Sequence, residues 1–192
     1  MWVVGGDIGQ ARDPTAIVGL EVTDECFDVR HLERLPLGTP YPLVADRLGV
    51  VCDAVPSPCE LAIDATGVGR PVVDLLRSQR RRPVAVLITG SGGEAFNPET
   101  AAWSVPKRLL MAPLGCALEL GRLRLSPGLP VSETEALRRE LSKFFRQING
   151  HGHTVMGGKR EHDDLVIALA LAVWWSERVG YIPTADLPEP VG

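Results

Sequence analysis

The amino-acid sequence predicts an α/β domain with a mixed central sheet and helices on both faces. Three observations carry that reading. Three β-rich segments separated by turn signals follow one another within Trp2 to Leu35. A strand, a helix and a second strand succeed each other between Cys59 and Ile88. A helix that is apolar nearly all round, around Leu165 to Trp175, has no polar face to give to water and must lie deep in the fold.

Each element has its own justification. Trp2 to Asp7 is apolar and stops at Gly5-Gly6-Asp7, a strand ending in an acid. Asp13-Pro14 marks a turn. Thr15 to Val22 is rich in β-formers, and Cys26 to Leu35 alternates in part, as an edge-like strand does. These three predict an antiparallel meander. Pro42 to Ala54 has helical spacing at Leu43, Val44, Leu48 and Val51. Cys59 to Asp64 is a fourth strand, again ending in an acid. A Gly-rich turn then leads to a helix from Pro71 to Arg80, with proline at an early helical position. Pro83 to Ile88 is a continuous apolar run, as in a buried parallel strand.

Thr89 to Glu99 reads as a loop and Pro106 to Leu120 as a helix. Ser132-Glu133-Thr134-Glu135 is a capping box opening the next helix, whose apolar face is Leu137, Leu141, Phe144, Phe145 and Ile148. Thr154 to Lys159 suits a strand and tight turn, and Glu161 to Arg178 the final helix. The expected organisation is one domain over 1–180 and a Pro-rich tail over 181–192, without internal repeats.

Composition narrows the function. The formal net charge is −4, whereas a protein that holds DNA through a broad basic surface is normally positive, so any nucleic-acid contact must be local or be supplied by a missing partner. Only 5% of residues are aromatic, too few for a stacking platform for single strands. Cys26, Cys52, Cys59 and Cys116 form no zinc-site spacing and read as reduced, mostly buried thiols of a cytoplasmic protein. No signal peptide is visible. The longest apolar run, 11 residues, is short of the roughly 20 needed to span a membrane.

Three acidic positions remain. Asp7 stands where a strand leaves the sheet, among glycines that let a ligand approach; alternatively it is a turn residue. Asp64 precedes Ala65-Thr66-Gly67-Val68-Gly69 at a strand end, where sites of α/β sheets lie, or else caps the following helix. Asp163 and Asp164, after His162, head the apolar helix, a position the helix dipole favours in any case. If these acids converge they repel one another, and the arrangement calls for cations. An all-oxygen donor set selects Mg²⁺ or Mn²⁺. Two ions roughly 3.5–4 Å apart would clamp the two oxygens of a phosphodiester displacement.

The order of strands and acids resembles the RNase H-like superfamily and, within it, the C-terminal nuclease domain of phage large terminases. The segments that carry the resemblance are Gly6-Asp7-Ile8-Gly9 with Asp13-Pro14-Thr15-Ala16, Ile63 to Gly69, and His162 to Ala170, supported by Val105-Pro106-Lys107-Arg108 and Leu118 to Leu123. The resemblance implies a metal-dependent DNA endonuclease that cuts viral DNA during genome packaging. It implies that Asp7 bridges two metals, that Asp64 binds one and that Asp164 or Asp163 binds the other, with a lean to Asp164. His162 would support the site. The implied partners are double-stranded DNA, a terminase ATPase domain, the portal and the small terminase, in the host cytoplasm. The chain lacks the G-x-x-x-x-G-K-[ST] phosphate loop of such an ATPase; Gly90-Ser91-Gly92-Gly93-Glu94 has no lysine. An excised domain or a split-gene product is therefore expected.

Lys107, Arg108, Lys159 and Arg160 are the candidate DNA contacts, reading backbone rather than sequence. Arg139, Lys143 and Arg146 share a helix face that reads first as a solvated surface. Trp174 and Trp175 read as core. Two rival functions use similar residues. A Holliday-junction resolvase shares the metal logic, and an actin-like ATPase or sugar kinase has comparable phosphate-binding segments. The latter repeats its core twice, which this chain does not.

Overall fold

The computed structural model describes residues 1–9, 13–150 and 163–179, the side chains of 145–150 aside. The expected strand and turn at Thr154–Lys159 and the tail at 181–192 lie outside the described residues. In chain order the elements are β1 (Trp2–Asp7), β2 (Ala16–Val22), β3 (Phe27–Arg34), α1 (Tyr41–Asp53), β4 (Cys59–Asp64), α2 (Gly69–Ser78), β5 (Val84–Thr89), β6 (Ala95–Asn97), β7 (Ala102–Pro106), α3 (Lys107–Glu119), β8 (Leu123–Leu125), α4 (Val131–Gly150) and α5 (Asp164–Val179).

The strands form one eight-stranded mixed sheet in the order β6-β7-β5-β4-β1-β2-β3-β8. The β1–β2–β3 meander is antiparallel, and β4 and β5 continue parallel from β1, as the sequence predicts. The sheet extends further than predicted at both edges. β7 pairs parallel with β5, β6 antiparallel with β7, and β8 parallel with β3. The segment read as a loop at Thr89–Glu99 therefore contains a strand, whose three residues are all exposed and show no apolar pattern.

The sheet divides the core in two because successive side chains point to opposite faces. On β1, Val3 joins one cluster and Val4 the other. α1 and α2 cover the Val4 face, while α3, α4 and α5 cover the Val3 face. α5 lies across β1, β2 and β4 and is itself overlaid by α3 and α4. That placement explains its composition: every residue from Asp164 to Ser176 is buried. Trp174 and Trp175 are core residues, stacked edge-on with Trp103. Burying each such side chain contributes about 2–3 kcal/mol.

Two local expectations are corrected. α4 begins at Val131, and Thr134 N–H donates to the carbonyl of Pro130, so Ser132 lies inside the helix. The Ser132 hydroxyl bonds its neighbour Glu133 and the predicted capping box does not form. All four cysteines are free as expected, but only Cys26 is buried; Cys52 and Cys59 are half-buried and Cys116 is exposed. Among the described residues no helix is long and apolar enough to cross a membrane.

Candidate active site

The site follows from strand register. β1 and β4 run parallel with Gly6 opposite Ile63, so Asp7 and Asp64 leave the sheet side by side at the carboxyl ends of adjacent strands. The first turn of α5, packed over those strands, carries Asp163 and Asp164 to the same edge.

After β1, Gly9 N–H donates to Thr15 Oγ1 (3.1 Å). Asp64 accepts the N–H of Thr66 (2.8 Å) in a tight turn but does not cap α2, whose N-cap residue, Val68, makes no side-chain cap bond. The first turn of α5 is capped from another helix, since Glu140 Oε2 on α4 accepts the N–H of Val166 (3.1 Å).

Asp64, Asp164 and Asp163 all lie within electrostatic reach of Asp7. Burial pushes the Asp7 carboxyl well above its ordinary value, and Asp64, Asp164 and Asp163 push it further, in that order; Lys107 opposes them. Among the described residues no hydrogen bond contributes to holding the charge on Asp7. Asp64 is also raised, first by burial, against the hydrogen bonding of Thr66 and the charge of Lys107.

The structure brings one of the predicted basic residues into this cluster. Lys107, at the start of α3, donates to Asp163 Oδ2 (2.6 Å), and its ammonium lies 5.9 Å from the centre of the Phe144 ring. Arg108 is one residue further on but points elsewhere: it is exposed and holds the carbonyl of Gly92 (3.2 Å) in the Gly-rich loop after β5. Arg139 and Lys143 are exposed on α4. Lys159, Arg160 and His162 lie outside the described residues.

Sequence reasoning missed two residues here. Arg34, the last of β3, donates from Nε to Asp164 Oδ2 (2.6 Å) and from Nη2 to Asp164 Oδ1 (3.2 Å). The same Nη2 bonds Glu140 Oε1. Burial, then the charge of Asp164, pushes the Glu140 carboxyl up to about 7, against the pull of Val166 N–H and Arg34. A signal for Glu140 exists in the sequence. It lies three residues after Leu137 and four before Phe144, so a carboxylate sits on the apolar stripe of α4.

A divalent cation suits this donor set. The four acids offer only oxygen ligands, and their mutual repulsion favours an added positive charge. Among the described residues no group of three or more acids, histidines or cysteines stands so placed that it could hold a metal ion. Instead Asp163 and Asp164 are each paired with a cation of the chain, Lys107 and Arg34.

No protein-family model and no curated protein sequence matches the chain. Solved structures do. The large terminase nuclease from the thermophilic phage G20c superposes with a TM-score of 0.62 at 20% identity, covering 90% of this chain and 80% of that one. The same nuclease with bound magnesium gives 0.62 at 19%, with the same coverage. The human cytomegalovirus terminase nuclease domain, Mn-soaked, gives 0.54 at 16%, over 94% and 85% of the two chains. The chain therefore has an RNase H-like fold. More narrowly, its fold is that of the nuclease domain of terminase large subunits.

Proposed function

We propose that the chain is a divalent-metal-dependent DNA endonuclease that cuts viral DNA during genome packaging. The observation that carries the reading is Asp7: a half-buried carboxylate that no described residue hydrogen-bonds, set among Asp64, Asp164 and Asp163 at one edge of the sheet. The fold likeness to terminase nucleases, one with bound magnesium and one Mn-soaked, supports the same chemistry.

Asp7, Asp64 and Asp164, with Asp163 alongside, would hold two Mg²⁺ or Mn²⁺ ions. When bound, such ions activate the attacking water and stabilise charge on the leaving oxygen. The chain's own residues do the rest. Lys107 brings a positive charge to the acid cluster, where it would meet a DNA phosphate. Arg108 holds the Gly-rich loop beside β5 and offers an exposed guanidinium to the backbone of a duplex. The proposed partners are double-stranded DNA, a terminase ATPase domain, the portal and the small terminase, in the cytoplasm of an infected host.

Cleavage of supercoiled plasmid in Mn²⁺, Mg²⁺ or EDTA tests the reading. Nicking or linearisation in either metal, abolished by EDTA, is the expected result. No cleavage in either metal at high protein concentration would count against it. Preference for a four-way junction over a linear duplex would instead favour a resolvase.

A further inference from the structure

Arg34, Asp164 and Glu140 join three elements, β3, α5 and α4, in one partly buried network. The guanidinium grips both oxygens of Asp164, and Glu140 holds that guanidinium with one oxygen and the Val166 N–H with the other. Asp164 is 3% exposed and Glu140 8%. Two carboxylates thus share one guanidinium at the base of the acid cluster. A network of this kind is a poor device for stability, because apolar residues of the same volume would fill the space at lower cost. It is a good device for orientation. A forked donor fixes the plane of a carboxylate as a point charge cannot. The second carboxylate fixes the fork and, through Val166, the turn that carries Asp164.

We propose that Arg34 and Glu140 are positioning residues that set the Asp164 carboxylate for metal binding, an inference that rests on the metal-centre reading above. Neither residue touches DNA or metal in this role. Partners of this kind typically change metal affinity by about 10–100-fold.

The test is calorimetric titration of the full chain with Mn²⁺ alone, beside melting in EDTA, for the wild type, Arg34→Lys and Glu140→Gln. Arg34→Lys keeps the charge and loses the fork. It is expected to bind Mn²⁺ about tenfold or more weakly, and Glu140→Gln likewise. Wild-type affinity in Arg34→Lys, whatever its melting temperature, would reduce Arg34 to an anchor between β3 and α5 and overturn the proposal. Tighter binding would make Arg34 a competitor of the metal and overturn it too. If Arg34→Lys does not fold, Glu140→Gln, nearly the same size as the native residue, carries the test, and wild-type affinity there overturns the proposal. Failure of the wild type itself to bind Mn²⁺ would overturn the metal-centre reading, and the positioning role with it.

Discussion

Gly5 lies directly on the backbone of Ala168: a β-carbon at Gly5 would stand 1.9 Å from the Ala168 carbonyl oxygen. This contact sets the distance between β1 and α5. Asp7 is two residues along the strand from Gly5, and Asp164 is one helical turn before Ala168. A side chain at position 5 would therefore lift α5, and its acids, off the strand that carries Asp7.

Gly5→Ala is accordingly expected to be among the most damaging single-methyl changes in the chain. The obstacle is backbone on both sides, so no rotamer relieves it. A loss of about 3 kcal/mol or more is expected, the upper range for overpacking, which would lower the melting temperature by roughly 6 °C or more. Thermal melts in EDTA check this, and a near-native melting temperature would show that β1 and α5 are not held at this contact.

Asp7→Asn should stabilise the fold when no divalent metal is present. The Asp7 carboxyl is raised in the folded state by burial and then by its acidic neighbours. A raised carboxyl contributes stability below its unfolded value, and that contribution is lost as pH rises through the folded value. Above the ordinary carboxyl range Asp7 therefore costs the folded state stability relative to the unfolded chain, and asparagine removes that cost. The variant should melt higher than the wild type in EDTA yet lose most of the rise that Mn²⁺ gives the wild type. Equal Mn²⁺ shifts in both proteins would contradict the proposed site.

Glu140 predicts a pH dependence with a defined window. Its folded value is about 7, raised first by burial, against an ordinary value of 4.5. The same sign applies: the wild type should lose stability relative to Glu140→Gln as pH rises from about 4.5 to about 7, then hold level. The change should amount to roughly 1–3 kcal/mol after allowing for screening. Urea unfolding of both proteins across pH 4.5–8 in EDTA measures the difference directly; a constant difference would argue against a buried, raised carboxylate.

Much of this architecture was legible in the sequence. Cys59–Asp64 is an apolar run between a proline and a glycine-rich turn, and the strand has the ends expected of it. The three acidic positions were readable because each closes or opens an element whose apolar pattern is strong. β6 and β8 were not, since each has three residues and neither is fully buried, so no periodicity marks them. β7 has five residues and runs straight into α3 at Pro106 with no loop between them to mark its end. The Arg34–Glu140 pair spans 106 residues. Arg34 alone reads as an ordinary surface charge and Glu140 only as a carboxylate on an apolar stripe; the fold brings them to Asp164.

The most direct test of the account is supercoiled-plasmid cleavage in Mn²⁺ by the wild type and by Asp64→Ala. Asp64 is the informative position because its carboxylate accepts only a local bond, from the Thr66 N–H, among the described residues and caps no helix. The account predicts metal-dependent nicking by the wild type that falls in the variant to the level seen with EDTA, with the variant still folded. Cleavage by Asp64→Ala at the wild-type rate would contradict it.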